Sequence, residues 1–81
     1  MIETEQSRKI SNEQLLVDIK NTILEQEAYQ KLMDGYAILM ELPENIDNPK
    51  YKLLYRQYAK LESECSVFLR KLYELKAERK L

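Results

Sequence analysis

Between Tyr51 and Leu75 the apolar residues fall at alternating steps of three and four without a miss: Tyr51, Leu54, Tyr58, Leu61, Cys65, Phe68, Leu72 and Leu75. Four consecutive heptads therefore carry apolar a and d positions. That spacing draws one narrow stripe along a helix, and a strand, whose side chains repeat every two residues, has no reason to keep it. The stretch is expected to be a long helix packed lengthwise on another.

The rest of the composition agrees. One glycine, two prolines, no tryptophan and a charged fraction of 33% suit a nearly all-helical chain. At 81 residues it reads as one small domain, of a size at which folding hides only about 60 to 65% of the unfolded surface. Cys65 is the only cysteine and there is no histidine. Neither an intrachain disulfide nor a classical zinc site can supplement so small a core, which leaves oligomerisation as the usual route. The longest apolar run, Tyr36 to Met40, is too short to cross a bilayer, and Glu3 and Glu5 stand where a signal peptide would be basic. A cytoplasmic location is expected.

Taken in order, residues 1–10 are polar without a clear period and read as a flexible N-terminal arm. Ser11-Asn12-Glu13-Gln14 has the form of a capping box, in which the Ser hydroxyl accepts a free backbone N–H and Gln14 reaches back to the cap. Helix 1 is expected from about 11 to 42, where Pro43 stops it. Asp34-Gly35 is its weak point, but the apolar period continues on both sides. Residues 43–48 form the connection, Asn48-Pro49 supplies a cap and a first-turn proline, and helix 2 runs from about 49 to 79. Residues 11–81 then make an antiparallel helical hairpin with a coiled-coil-like seam, about 45 Å long at 1.5 Å per residue.

Tyr29, Leu32, Tyr36, Ala37 and Leu39 recur 22 residues later as Tyr51, Leu54, Tyr58, Ala59 and Leu61. Folding the chain back about Asn45 sets Leu39 beside Tyr51, Tyr36 beside Leu54, Leu32 beside Tyr58 and Tyr29 beside Leu61, so that each ring faces a leucine. Continued toward the N-terminus, this register puts Glu25, Thr22 and Asp18 opposite Cys65, Phe68 and Leu72. The apolar residues Leu16, Ile19 and Ile23 are rotated about 100° away. Either helix 1 kinks or twists near Gln26, or its first half packs on another chain. The second option is favoured, because Tyr55, Leu69 and Tyr73 widen the stripe of helix 2 beyond what one partner covers. The expected interface is Leu15, Leu16, Ile19, Ile23, Tyr55, Leu69 and Tyr73, and the expected assembly a homodimeric four-helix bundle.

Charge is divided between the helices. Residues 1–48 carry four basic and ten acidic side chains, and residues 49–81 carry nine basic and four acidic, for a net charge of −1. Mutual attraction along the seam is the ordinary consequence. Lys52, Arg56 and Lys60, spaced four apart opposite the seam, with Arg70 near the same face, form a ridge suited to an acidic partner or to phosphates.

No catalytic constellation is present. Histidine, the commonest general base at neutral pH, is missing. Ser63 and Ser66 flank Cys65 with nothing to activate them, and a seam thiol acts as a small hydrophobe. There is no Glu-x-x-His element and no phosphate-binding glycine loop, so no enzyme activity, cofactor or metal is expected. The tyrosines of the seam read as core.

The expected function is a protein–protein interaction module that self-associates and binds, inhibits or scaffolds a second protein, in the style of a small bacterial or phage regulator. Two alternatives rest on layout. The hairpin is similar in architecture to the Rop-type RNA-binding hairpin dimers, which would assign Lys52, Arg56 and Lys60 to phosphates. The two helices and proline-bounded loop also resemble type III secretion needle subunits, a self-assembling filament, although those have a tighter Pro-x-x-Pro turn where Pro43 and Pro49 stand six apart here.

Overall fold

The computed structural model describes residues 10–81; the expected N-terminal arm lies, except for Ile10, outside the described residues. Helix α1 (Asn12–Glu41) and helix α2 (Pro49–Glu78), of 30 residues each, are joined through a 3-10 turn at Pro43–Asn45. They pack antiparallel in a hairpin whose extents are 52 × 18 × 16 Å. A globular chain of this length would have a radius of gyration near 12 Å; the observed value is 17.0 Å. Among the described residues no further layer covers the outer faces of the two helices.

Local chemistry sets the ends. The Ser11 hydroxyl accepts the Gln14 backbone N–H at 3.0 Å, but the Gln14 side chain does not reach back to the cap. It donates instead to Asp18 Oδ1, one turn on, at 2.7 Å, so only half of the expected capping box forms. Leu42 is extended (φ −69°, ψ 134°), as the residue before a proline must be to avoid the ring. Asn45 closes the turn by donating its side-chain amide to Leu39 O at 2.9 Å. Asn48 caps α2 by accepting the Lys50 N–H at 3.0 Å, with Pro49 in the first turn. The helix is unbroken through Asp34-Gly35, and Gly35 has an ordinary negative φ.

The buried stripe differs from the expected one in an instructive way. On α1, Leu15, Ile19, Thr22, Gln26, Tyr29, Met33, Tyr36 and Met40 are all buried or half-buried. These lie at unbroken steps of four and three, so α1 needs no kink to stay on its partner. On α2 the positions Tyr51, Tyr58, Cys65 and Leu72 hold as expected, but the intervening ones slide by one residue. Glu62 and Leu69 are half-buried, whereas Leu61 and Phe68 are 38% and 46% exposed. Only at the two ends, at Leu54 with Tyr55 and Leu75 with Lys76, are both neighbours covered.

Three layers occupy the seam. Near the termini Leu15, Ile19, Leu72 and Leu75 form the buried core, with Ile10, Ile23 and Leu69 packed against it. Arg79 ties the ends together by donating to Ile10 O at 2.7 Å and Asn12 Oδ1 at 3.2 Å. In the middle, the Gln26 amide donates to Glu62 Oε1 at 2.9 Å and to Ser66 Oγ at 2.6 Å. Toward the loop, rings from alternate helices follow one another in the order Tyr29, Tyr58, Tyr36, Tyr51, with centroids 6.0, 5.8 and 6.0 Å apart, the first pair tilted and the other two stacked.

Two expectations are corrected here. Rings meet rings across the hairpin where each was expected to meet a leucine, and Leu32 and Leu61, expected beside Tyr58 and Tyr29, are 40% and 38% exposed. Leu15 and Ile19, expected on the outer surface, are inside the hairpin at 0% and 7% exposure. The mismatch near Gln26 is absorbed by seating polar side chains, Thr22 and Gln26, in the seam. With only Leu15, Ile19, Leu72 and Leu75 forming the buried cluster, a lone hairpin has little core to offset the entropy of ordering two long helices.

Candidate functional site

The slide in α2 leaves an open groove of about 510 Å³ along one flank, between α1 and α2. Tyr29, Leu61, Cys65 and Phe68 supply its apolar surface; Asp18, Glu25 and Glu64 supply carboxylates, and among the described residues its lining contains no cation. Phe68 also borders a smaller recess with Val67 and Lys71 on its far side, so the ring stands as a ridge between two hollows. Thr22 lies in the groove floor with its hydroxyl donated to Asp18 O at 2.7 Å.

Cys65 sits where groove and seam meet. Its thiol donates to Glu25 Oε2 at 3.7 Å. Burial pushes the thiol pKa above its ordinary value, and the Glu25 charge and hydrogen bond, then Glu62 and Glu64, add to the rise. A proton held in this way makes Cys65 a poor nucleophile at neutral pH. Among the described residues no group of three or more His, Cys, Asp and Glu side chains is placed to hold a metal ion.

The expected interface is divided by the structure. Leu15 and Ile19 belong to the intrachain core, and Ile23 and Leu69 pack partly against it, because α1 keeps an unbroken seam on α2. Tyr55 is half-buried in that seam. Leu16 and Tyr73 remain outside at 46% and 44% exposure. Leu16 is about 200° around α1 from Asp18, and Tyr73 about 140° around α2 from Phe68; both therefore lie away from the groove. Lys52, Arg56, Lys60 and Arg70 are all exposed, on the outer side of α2.

Sequence reasoning missed the groove, since Leu61 and Phe68 fit the heptad as well as Glu62 and Leu69 do. One signal could have found it. Gln26 falls on the stepping of α1 directly across from Glu62 and Ser66, and a buried amide needs partners that Leu61 cannot provide. Large apolar side chains are exposed elsewhere too, among them Val17, Leu24, Ile38, Ile46 and Leu53. Exposure on this scale suggests association. No helix among the described residues is long and apolar enough to cross a membrane. No family model, curated protein or solved structure matches the chain.

Proposed function

We propose that this chain is a non-enzymatic interaction module, a helical hairpin that self-associates and binds or scaffolds a second protein as a regulator. The observation that carries the reading is the exposure of large apolar side chains along the two-helix rod that the described residues form. Leu16 and Tyr73 are the anchors for self-association. The register that brings Cys65 to Glu25 sets these two at the same height, and two copies joined on that flank would make a four-helix bundle. An aliphatic residue beside an aromatic ring with a polar tip suits such a contact.

Sedimentation equilibrium of the wild type and of Leu16→Glu/Tyr73→Glu tests it. The wild type should exceed the mass of one chain, while the variant keeps its helical circular dichroism and loses mass. A wild type that stays monomeric at every concentration refutes self-association.

Exposure of Lys52, Arg56 and Lys60 on one side of α2 favours a second reading, phosphate contacts to nucleic acid. The net charge of −1 weighs against it, because such domains are usually basic overall. Titration with duplex RNA at low and high salt discriminates: tight binding with a steep salt slope supports nucleic acid, and its absence removes this reading.

A further inference from the structure

We propose that the acidic groove beside Leu61 and Phe68 receives the basic outer side of α2 from a second copy of this chain. The inference rests on the self-association reading and adds a different surface to it. The groove presents carboxylates from both helices, Asp18 and Glu25 from α1 and Glu64 from α2, beside the apolar surface of Tyr29, Leu61, Cys65 and Phe68. The outer side of α2 is its complement: Lys52, Arg56 and Lys60 are exposed, and Leu53 stands beside them at 57% exposure. Spacing matches as well as sign. Asp18 and Glu25, one heptad apart, span about 10 Å, and Lys52 to Lys60 about 12 Å, along their helix axes.

Opposite charge at this range steers encounter and fixes register, while the apolar centre, here Leu53 against Leu61 and Phe68, excludes water. The division of charge between the halves of the chain thereby acquires a purpose beyond the hairpin's own seam. Groove and ridge are different faces, so the contact is head-to-tail. A copy bound by its ridge still offers an empty groove, and growth continues unless the rotation closes a ring.

Charge exchange between two variants tests this. One carries Asp18→Lys and Glu64→Lys in the groove, the other Lys52→Glu and Lys60→Glu on the ridge, and both are followed by sedimentation velocity and circular dichroism. The wild type should form species larger than a dimer that recede when salt rises from about 0.05 M to about 0.5 M, as the Debye length shrinks from about 14 Å to about 4 Å. Each variant alone should associate beyond the dimer about tenfold more weakly or less, and the equimolar mixture should recover it.

Failure of the mixture to associate more than either variant alone overturns the groove contact, as does a wild type that stops at a salt-insensitive dimer. That last outcome leaves the Leu16 and Tyr73 contact standing, whereas a monomeric wild type removes both. Should the lysines in the groove unfold the hairpin, Asp18→Asn with Glu64→Gln serves instead. An unchanged large-species fraction in that neutral variant also overturns the proposal.

Discussion

Tyr36 stacks on Tyr58 across the hairpin with ring centroids 5.8 Å apart and planes 9° from parallel. Tyr58 also meets Tyr29 at 6.0 Å, so one ring of α2 is held between two rings of α1. Offset pairs of this kind contribute about 0.5 to 1.5 kcal/mol each beyond the area they bury. Tyr58→Ala should therefore cost about 2 to 4 kcal/mol, near the lower part of the range for aromatic truncations because the ring is only half-buried. Tyr51→Ala, at the end of the ladder, should cost less. Urea unfolding of the two variants checks the order, and Tyr51 proving the costlier site would mean that the ladder is not a stabilising unit.

A second prediction follows from the slide in α2. Phe68 is 46% exposed, whereas Leu69 packs against the terminal core. In a monomeric hairpin Leu69→Ala should cost about 2 kcal/mol and Phe68→Ala less than about 1 kcal/mol, the reverse of what ring size and heptad position suggest. Chemical denaturation of the two variants at low protein concentration decides it. A larger loss at Phe68 would put the ring back in the seam.

Most of the hairpin was legible because helix ends and periods are local properties. Ser11, Pro43, Asn48 and Pro49 mark boundaries through their own backbone chemistry, and the antiparallel register about Asn45 reappears in the contacts of Cys65 with Glu25 and of Arg79 with Asn12. The rotation of α2 about its axis was not legible. Leu61 and Glu62 are about 100° apart on a helix, and choosing between them depends on how well Gln26 can be satisfied, a contact 36 residues away. The groove inherits that difficulty. Its carboxylates come from two helices and become neighbours only after the rotation is fixed.

The hydrogen-bonded layer of Gln26, Glu62 and Ser66 should hold register at some loss of stability, as a polar residue at one a position does in coiled coils. Gln26→Leu with Glu62→Leu is expected to raise the midpoint of thermal unfolding, because apolar side chains replace a desolvated amide and carboxylate. The same change should loosen the pairing of helices. Disulfide trapping of the native Cys65 with Glu25→Cys, at side chains that already touch, compared with Asn21→Cys and Tyr29→Cys one helical turn away, reads this out. Equal stability loss in the double variant and in Gln26→Leu alone would argue against the account.

Gly35 lies in mid-helix with no atom within 4 Å of where a Cβ would stand, and its φ is not positive. Nothing in the fold requires a glycine there. Gly35→Ala should stabilise the hairpin by about 1 kcal/mol through helix propensity alone. A loss of stability in thermal or urea unfolding would show that the position serves a contact made only in an assembly.

Cys65 offers a pH-dependent readout of the groove. Its thiol pKa lies above the ordinary 9.0, first through burial and next through Glu25. Below 9.0 the folded and unfolded chains both hold the proton, and the thiol's contribution is fully present. As pH rises past that value the unfolded chain releases its proton first, so stability falls until the folded thiol ionises as well. Cys65→Ser should flatten this part of the stability profile. Glu25→Gln removes a charge and leaves the burial, so it should lower the pH at which iodoacetamide alkylates Cys65 without restoring the behaviour of a free thiol. An alkylation profile identical to that of the wild type would separate Glu25 from the thiol.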